Sequence, residues 1–539
     1  MSLDRADGRS LRSGFLRAAA EFGERPCLVV KGRTIAYREV EETARRWAAV
    51  LLAHRSARLG RVGVFAYRSE VAYIGTLASL FAGAAFVPLN RTFPPERTRT
   101  MLQRAALDAL IVDRGSASQL SAVLAGMESP PVILAPDADT DLSAVPSSLQ
   151  CGAAALAAAE PLSRLPPLGA GDVAYLLFTS GTTGIPKGVA ITHGNATHFL
   201  DSVSPWLEYT AEDRTSQMFD QTFDLSVLDL FATWQAGACL CVPQAADLLA
   251  PALYANRQQL TTWFSVPSLV AHMRRGGQLK PGLLPKLRLS MFCGEALPRS
   301  TVEVWREAAP NGAVLNLYGP TELTIACSVY RWDDAASPNE CVLDVVPIGR
   351  PLPGLAALVV DDALKAVEYG EPGELCVCGP QTAPGYWCDA KRTAERFVPI
   401  ELGLSDTRIF YRTGDRVAQQ PSGDYAYLGR VDHQIKIHGY RVELGEIEAA
   451  ILKHPGVVAA AAIGWPLEGG RPEGIVGFAV GKDVEPDAVR GSLRGKLPAY
   501  MLPAKVVVLD SLPLNVNGKT DRAALQSMLD ARTADKDGR

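Results

Sequence analysis

Residues 177–188 read Leu-Phe-Thr-Ser-Gly-Thr-Thr-Gly-Ile-Pro-Lys-Gly, a glycine-rich loop between two apolar runs. The preceding run, 173–178, and the following run, 189–191, are typical of buried strands. Glycines let backbone amides approach an oxyanion closely, and the loop adds four hydroxyl side chains and one lysine as further donors. A loop of this composition between two strands suits the binding of a triphosphate.

The loop differs from a Walker phosphate-binding loop. Pro186 precedes Lys187, the Gly-Lys-Ser/Thr sequence is missing, and no helix pattern follows directly. Taken alone, the loop has a second interpretation, a Gly/Ser/Thr turn without a ligand.

Apolar patterns on either side of the loop alternate between strand and helix. Residues 27–37 predict a hairpin, residues 39–54 predict a helix with one apolar face, and Pro94-Pro95 predicts the start of another helix. Short buried strands are predicted at 62–65, 110–112 and 132–135. This alternation predicts an α/β fold of layered sheets with parallel strands. From 357 to 379 the pattern changes to strands and turns, which predicts a small β subdomain.

The length of 539 residues predicts more than one domain. We place a boundary at about residue 430, which gives an N-terminal core over 1–429, a C-terminal α+β domain over 430–530 and a disordered tail over 531–539. In the C-terminal domain we expect helices at 446–453 and 487–496 and strands at 457–464, 475–480 and 505–509. The Ala, Pro and Gly-rich stretch 151–171 predicts a surface connector.

Composition excludes several classes of protein. The net charge of −4 provides no basic field for nucleic acid and no polybasic membrane anchor. The longest apolar run, 74–89, is too short to span a membrane, and no signal peptide pattern is present, so we expect a cytoplasmic enzyme. The ten cysteines and seven histidines show neither CxxC spacing nor a helical metal-binding register, so we assign them no metal site.

Further motifs follow the loop in a fixed order. They are Phe223-Asp224-Leu225-Ser226, Asn316-Leu317-Tyr318-Gly319-Pro320-Thr321-Glu322, Gly373-Glu374-Leu375, Tyr411-Arg412-Thr413-Gly414-Asp415, Gly429-Arg430-Val431-Asp432, Ile435-Lys436-Ile437-His438-Gly439 and Asn517-Gly518-Lys519-Thr520-Asp521-Arg522. This ordered set resembles the superfamily of acyl-CoA synthetases, luciferases and nonribosomal peptide synthetase adenylation domains. The resemblance implies a large N-terminal domain and a small C-terminal domain that rotates between two catalytic states, with the hinge at Asp432.

The resemblance also implies a reaction and its nucleotide-binding residues. A carboxylate attacks the α-phosphorus of ATP, pyrophosphate leaves, and a thiol then attacks the acyl-adenylate. Lys519 and Thr321 are implied to act on the reacting groups, and Glu322 is implied to bind Mg²⁺. ATP-binding residues implied by the family are Thr179, Ser180, Gly181, Thr182, Thr183, Gly184, Lys187, Gly294, Glu295, Tyr318, Asp415 and Arg430. Within this set, Tyr318 is expected to stack on adenine and Asp415 to accept hydrogen bonds from the ribose.

Asp224 indicates the class of substrate. In the amino-acid-activating branch of the family, an acid at this position pairs with the substrate ammonium. A desolvated carboxylate is costly without a cation, so a bound ammonium is physically sensible. The alternative is that Asp224 caps the helix that follows it.

Motif alignment assigns the rest of the amino acid pocket to apolar or weakly polar residues. These are Leu225, Leu228, Phe264, Met291, Cys293, Leu317, Ile325 and Ala326. A polar substrate side chain would enter this lining unpaired, so we expect an apolar amino acid. The set most resembles that of stand-alone prolyl-adenylating enzymes, with Leu225, Leu228 and Leu317 in agreement, which predicts L-proline. Alanine and a branched aliphatic amino acid are the competing substrates.

The expected acceptor is a discrete peptidyl carrier protein with a phosphopantetheine thiol, since neither a carrier motif nor an HHxxxDG condensation motif occurs in the sequence. The sequence leaves two alternative functions open. One is an acyl-CoA ligase for a small carboxylic acid, and the other is a nucleotide-binding or carrier-docking protein without turnover.

Overall fold

The computed structural model describes residues 9–54, 59–181, 185–402, 406–432, 434–468, 471–482, 484–514 and 520–537. The chain forms two compact units. The first comprises residues 1–91, 102–178 and 188–431, and the second comprises 92–101, 179–187 and 432–539. Two short segments from the N-terminal part of the chain, 92–101 and 179–187, thus belong to the second unit.

Strands are numbered along the chain. Those up to residue 351 are β1 Pro26–Val30, β2 Arg33–Ala36, β3 Arg61–Phe65, β4 Ala85–Leu89, β5 Ala109–Val112, β6 Val132–Ala135, β7 Gln150–Gly152, β8 Val173–Thr179, β9 Lys187–Thr192, β10 Arg214–Ser216, β11 Cys239–Cys241, β12 Thr262–Ser265, β13 Leu289–Phe292, β14 Ala313–Tyr318, β15 Ser328–Arg331 and β16 Arg350–Pro351. Those after it are β17 Ala356–Val360, β18 Gly373–Cys378, β19 Phe397–Glu401, β20 Thr407–Gln419, β21 Tyr425–Arg430, β22 Gln434–Ile437, β23 Tyr440–Glu443, β24 Val457–Gly464, β25 Leu467–Glu468, β26 Arg471–Pro472, β27 Ile475–Gly481 and β28 Lys505–Leu509.

The helices are numbered in the same way. They are α1 Ser13–Glu21, α2 Tyr37–Ala53, α3 Glu70–Phe81, α4 Pro95–Ala105, α5 Arg114–Ala117, α6 Leu120–Leu124, α7 Ala153–Ala158, α8 His193–Leu207, α9 Leu225–Gln235, α10 Pro251–Gln258, α11 Pro267–Arg275, α12 Arg299–Ala308, α13 Ser337–Glu340, α14 Ala390–Arg396, α15 Leu444–Leu452, α16 Pro486–Leu493 and α17 Arg522–Asp537. No helix in the described ranges is both long enough and apolar enough to cross a bilayer.

Two large sheets and one smaller sheet make up the first unit. The nine-stranded sheet has the order β16-β15-β14-β13-β12-β10-β11-β1-β2, and the seven-stranded sheet has the order β7-β6-β5-β3-β4-β8-β9. Parallel pairing dominates both, as in β12–β13–β14 and in β6–β5–β3–β4. The predicted layered α/β class is confirmed, because helix-covered parallel strands are buried on both faces and read as apolar runs.

The nine-stranded sheet separates two apolar cores. Phe264, Met291 and Leu315 pair across β12, β13 and β14 and belong to the core that also contains strands of the seven-stranded sheet and helices α2, α3, α8 and α9. Their chain neighbours Trp263 and Phe292 point to the opposite face, into a second core with α10, α11 and α12. The first core therefore receives the side chains that the sequence assigns to the amino acid pocket.

A five-stranded antiparallel sheet forms the predicted small β subdomain. Its order is β17-β18-β20-β19, with β21 also paired to β20. One face buries Cys376, Cys378 and Phe410, and the other face joins the first core through Leu375 and Tyr411. The long strand β20 carries the Thr413-Gly414-Asp415 sequence into the body of the first unit.

The second unit contains the predicted α+β elements. A three-stranded sheet of order β24-β27-β28 packs with α15 and α16, and the β22–β23 hairpin adds to the same core. Predicted strands at 457–464, 475–480 and 505–509 and predicted helices at 446–453 and 487–496 correspond to β24, β27, β28, α15 and α16.

Two expectations differ from the structure. The predicted connector 151–171 contains the end of β7, which pairs in parallel with β6, and helix α7, whose five alanines are strong helix formers. Residues 531–537 of the tail predicted to be disordered are the last two turns of α17. The predicted hairpin at 27–37 and the predicted helix at 39–54 are confirmed as β1–β2 and α2.

Candidate active site

Asp224 lies at the start of α9, and its side chain turns away from the helix end. It makes no side-chain capping hydrogen bond, so the helix-cap interpretation is wrong. Instead Asp224 Oδ2 accepts a hydrogen bond from the backbone N–H of Ile325 at 3.2 Å. The Thr321 hydroxyl lies near the same carboxylate and favours its charged form, which lowers the pKa of Asp224. Asp224 is therefore held by the turn that follows β14, although 97 residues or more separate them in sequence.

Burial raises the pKa of Asp224 to about 6, because desolvation disfavours the charged carboxylate. The Thr321 hydroxyl and the Ile325 N–H oppose this shift, and the nearby negative charge of Glu322 adds to it. No salt bridge to Asp224 occurs in the described residues. The carboxylate thus has dipoles but no described cation as partners.

The turn that holds Asp224 has an unusual backbone. Thr324 and Ile325 have φ of 59° and 75°, in the left-handed region. Such a conformation is unfavourable for β-branched residues, at a cost of about 1–3 kcal/mol each. It directs the Ile325 N–H toward Asp224, so the strain accompanies a contact at the candidate site.

The predicted apolar lining comes together in the first core. All eight residues are buried there: Leu225, Leu228, Phe264, Met291, Cys293, Leu317, Ile325 and Ala326. Phe264 and Met291 are register partners on β12 and β13. Cys293 and Leu317 lie two residues beyond Met291 and its partner Leu315, so all four point to one face at the carboxyl ends of parallel strands. Ligand sites in α/β sheets lie at this edge.

Asp415 lies at the centre of a fully paired polar group. The Tyr318 hydroxyl donates to Oδ2 at 2.6 Å, and Arg430 Nη1 donates to Oδ1 at 2.7 Å. Strand pairing fixes this arrangement, since Asp415 on β20 is the register partner of Arg430 on β21. Each carboxylate oxygen has a second acceptor position, so two ribose hydroxyls can still donate to Asp415.

Glu374 fixes the turn before Asp415. Its Oε1 accepts the backbone N–H of Gly414 at 3.0 Å, and its Oε2 accepts Arg412 Nη2 at 2.6 Å. Gly414 has φ of 75°, which glycine adopts without strain. The Gly373-Glu374-Leu375 motif contributes to the family resemblance, but the sequence alone assigns Glu374 no role.

Glu322 lies in a single 3₁₀ turn, Thr321–Leu323, and is fully buried. The Tyr386 hydroxyl donates to its Oε1 at 2.7 Å. A carboxylate oriented by a hydroxyl suits a magnesium ion, which takes one or two protein carboxylates together with phosphate oxygens and waters. The residues present therefore fit the ion that the resemblance implies. Tyr386 was not predicted, and its only sequence signal is its place after Pro384-Gly385.

Gly294 and Glu295 follow β13. Gly294 has φ of 92°, and the Glu295 carboxylate accepts the backbone N–H and the hydroxyl of Ser268 at 2.9 and 3.0 Å. The first of these bonds satisfies one free N–H group in the first turn of α11. A turn at the end of β13 thus accounts for both residues, and their adenine contact remains a prediction.

The glycine-rich loop residues described belong to the second unit. The Ser180 hydroxyl donates to the Arg441 carbonyl at 2.6 Å, and the Gly181 N–H donates to Glu446 Oε2 at 3.3 Å. Thr179 Oγ1 is buried and has no hydrogen-bond partner in the described part of the chain. Lys187 opens β9 and is buried.

Several predicted residues cannot be placed. Thr182, Thr183, Gly184 and Lys519 lie outside the described residues. The predicted hinge residue Asp432 is the first residue of the last segment of the second unit, and its Oδ1 accepts the N–H of Gln434 at 3.2 Å.

Known proteins resemble this chain over nearly its full length. It is 35% identical to phosphinothricin tripeptide synthetase PhsC of Streptomyces viridochromogenes over 94% of the chain and 44% of that protein. The chain therefore spans less than half the length of this relative. It is also 35% identical to an L-proline–[L-prolyl-carrier protein] ligase of Streptomyces coelicolor, covering 93% of each chain.

Among solved structures, the Vibrio cholerae adenylation domain AlmE in complex with glycyl-adenosine-5'-phosphate superposes with a TM-score of 0.86. The two chains are 30% identical, and the superposition covers 98% of this chain and 99% of AlmE. The sequence profile described as AMP-binding enzyme matches residues 15–387, and the profile of its C-terminal domain matches 446–519. The chain belongs to the AMP-binding enzyme family.

Proposed function

We propose that this chain is an ATP-dependent ligase that adenylates an apolar amino acid, L-proline being the best substrate. It then transfers the aminoacyl group to the phosphopantetheine thiol of a separate carrier protein. A relative named as an L-proline–[L-prolyl-carrier protein] ligase, matched over 93% of its length, supports both the substrate and the acceptor.

One observation carries the choice of an amino acid. Asp224 is a buried carboxylate at the end of an apolar lining, where the Ile325 N–H donates to it and the Thr321 hydroxyl lies nearby. Burial of a charge without a counterion is costly, so a ligand ammonium would stabilise the charged form. A carboxylic acid substrate without an amine would leave that cost in place.

The apolar lining carries the choice of side chain. Phe264, Met291 and Leu317 offer no strong hydrogen-bond donor, and all are buried. A polar substrate side chain would lose its water hydrogen bonds without replacement. Apolar neighbours that differ by one methylene differ by only about 1–3 kcal/mol, so alanine and valine are the competitors to test.

In the proposed reaction, a substrate carboxylate oxygen bonds to the α-phosphorus of ATP while the bond to the pyrophosphate oxygen breaks. The thiol sulfur then bonds to the acyl carbon, and AMP leaves. Asp415, Tyr318 and Arg430 would bind the nucleoside, and the loop 179–187 and Lys519 would supply donors to the phosphates and the carboxylate. Mg²⁺ held by Glu322 would neutralise phosphate charge. Positioning and charge neutralisation are the main protein contributions in such transfers.

The test of the substrate is pyrophosphate exchange at equal concentrations of all proteinogenic amino acids, D-alanine and β-amino acids. Exchange should be fastest with L-proline, and faster exchange with alanine or valine would contradict that substrate while leaving the enzyme class intact. Mass spectrometry of candidate holo-carrier proteins should then show an added prolyl group. Efficient loading of free coenzyme A without carrier acylation would favour the acyl-CoA ligase instead.

Lys519→Ala should separate the two half-reactions. We expect adenylation to fall roughly 100–1,000-fold, the scale of one lost preorganised transition-state contact. Transfer from chemically supplied aminoacyl-adenylate to the carrier should continue. An equal loss in both steps would show that Lys519 is structural.

A further inference from the structure

Residues 381–383 form hydrogen bonds to residues 322–326, the turn that holds Asp224, and are called the clamp below. The Gln381 side chain is fully buried, and its Nε2 donates to the carbonyls of Ala326 at 2.8 Å and Leu323 at 3.3 Å. In return, the Thr324 hydroxyl donates to the Gln381 carbonyl at 2.6 Å. The clamp thus grips the turn on both sides of its strained residues.

A fourth hydrogen bond completes the clamp. The backbone N–H of Ala383 donates to the Glu322 carbonyl at 2.9 Å. The four bonds together engage residues 322, 323, 324 and 326, and the residue left between them is Ile325. Its N–H is the one that donates to Asp224.

The strain shows why such a clamp is needed. Thr324 and Ile325 would leave the left-handed region if nothing opposed them, since β-branched residues are unfavourable there. Strained backbone persists only when the surrounding structure over-determines it. Gln381 is the side chain that supplies two of the opposing bonds, and both go to carbonyls that flank the strained pair.

Loss of the clamp has a defined consequence at the site. If the turn relaxes, the Ile325 N–H leaves Asp224 and the carboxylate loses its backbone donor. Ile325 and Ala326 also belong to the proposed lining, so the carboxylate and the wall would shift together. A free Asp224 side chain would present its charge to the ligand ammonium less well.

We propose that Gln381 is a positioning residue that holds the turn Thr324–Ile325 and thereby orients Asp224 toward the amine of the substrate. This inference rests on the proposed function, because it takes Asp224 as the residue that recognises the amine. Gln381 does not contact substrate in this proposal. It acts through Ile325.

The experiment measures discrimination for the amine. In pyrophosphate exchange, kcat/KM for L-proline is divided by kcat/KM for cyclopentanecarboxylate, which has the same ring without the nitrogen. Gln381→Met keeps the side-chain volume and removes the donors. It should lower this ratio about tenfold, the scale of one lost buried hydrogen bond. If another amino acid is the best substrate, that amino acid and its analogue without the amine replace the pair.

Gln150→Met is the matched control. The Gln150 amide also donates to two carbonyls, those of Leu142 and Val145, at 3.1 and 2.7 Å, but it lies on β7 at the edge of the seven-stranded sheet. We expect Gln150→Met to change the melting temperature and to leave the ratio unchanged. An equal fall in the ratio for both variants would reduce the effect to general destabilisation and overturn the inference.

A double variant distinguishes positioning from an independent role. Asp224→Ala should abolish the amine preference, and adding Gln381→Met should then have no further effect on the ratio, because the two residues act in series. Additive losses would overturn the inference. If Gln381→Met does not fold, Thr324→Val removes another bond of the clamp and should lower the ratio in the same direction.

The outcomes separate this inference from the proposed function. A wild-type chain that treats L-proline and cyclopentanecarboxylate alike, and shows no exchange with any other amino acid, would overturn the proposed function and the inference with it. Wild-type discrimination retained in full by Gln381→Met would overturn the inference alone.

Discussion

Asp224 and Asp415 are the same residue type and are equally buried, each with 6% of its surface exposed, but they have different partners. Asp415 accepts hydrogen bonds from Tyr318 and from the guanidinium of Arg430. Asp224 accepts a hydrogen bond from the backbone N–H of Ile325, and burial raises its pKa to about 6.

The difference shows that burial alone does not determine the partners of a carboxylate. A carboxylate hydrogen-bonded to a guanidinium has a charged partner before any ligand binds. A carboxylate surrounded by dipoles and apolar side chains has an unfavourable charged form until a cation binds beside it. The first arrangement suits the recognition of neutral hydroxyls, and the second suits the recognition of an ammonium.

The largest expected effect comes from removing Asp415, which accepts hydrogen bonds from Tyr318 and Arg430. Asp415→Ala removes the carboxylate paired with the Arg430 guanidinium, whose side chain is 11% exposed, so the free energy of unfolding should fall by about 3–5 kcal/mol. Denaturant titration measures this. Asp424→Ala removes the partner of Arg350, whose side chain is exposed, and serves as the control with an expected loss below about 1 kcal/mol. Similar losses in the two variants would contradict the role of the buried network.

Asp224→Ala should affect substrate preference strongly and stability little, in contrast to Asp415→Ala. Removal of a buried acid without a cation should change stability little, while the preference for amino acids over acids without the amine should fall by about 2–5 kcal/mol. The measurement is pyrophosphate exchange with matched substrate pairs, together with denaturant titration of the same protein. If the variant retained the wild-type preference, the acyl-CoA ligase would become the better interpretation.

The next effect is a dependence of the free energy of unfolding on pH, caused by the raised pKa of Asp224. The unfolded carboxyl has a pKa near 3.9, so as pH rises the unfolded chain releases its proton first and the native state loses stability between about pH 4 and pH 6. With about 1.4 kcal/mol per pKa unit, the loss is about 2–3 kcal/mol. Asp224→Asn removes the titrating group, and its unfolding free energy should lack this decline.

Binding of the substrate amine should show the reverse dependence on pH. The ammonium pairs with the charged carboxylate, so amino acid affinity should rise as pH increases through about 6 and level off above it. Glu322 is the other acidic group that influences Asp224. The KM for L-proline between pH 5 and 8 measures this, and an identical profile in Asp224→Asn would assign the titration to another group.

The smallest expected effect comes from removing one hydrogen bond to Asp415, the bond from Tyr318. Tyr318→Phe removes the 2.6 Å hydrogen bond to Asp415 and should cost about 1 kcal/mol of stability and raise the KM for ATP a few-fold. Tyr330→Phe removes a buried hydroxyl bonded to Ser337 and Glu340 and should cost similar stability without changing that KM. A raised KM for ATP in both variants would mean that the effect is not local.

The sequence by itself determined the family, the layered α/β class and most of the strands and helices. Buried parallel strands such as 62–65 and 110–112 are short apolar runs, and the helix at 39–54 has an apolar face, so local pattern and tertiary environment agree. The ordered motifs also predict roles for Asp224, Tyr318, Glu322 and Asp415, because their residue types suit the proposed chemistry.

Only the tertiary structure decided what these residues contact. Three contacts come from distant parts of the chain: Gln381 to the Ala326 carbonyl, Tyr386 to the Glu322 carboxylate and Glu374 to the Gly414 N–H. Nothing in the local sequence indicates these partners. The same holds for the different partners of Asp224 and Asp415. Desolvation and hydrogen bonding depend on neighbours in space, so two aspartates acquire different partners only when the chain folds.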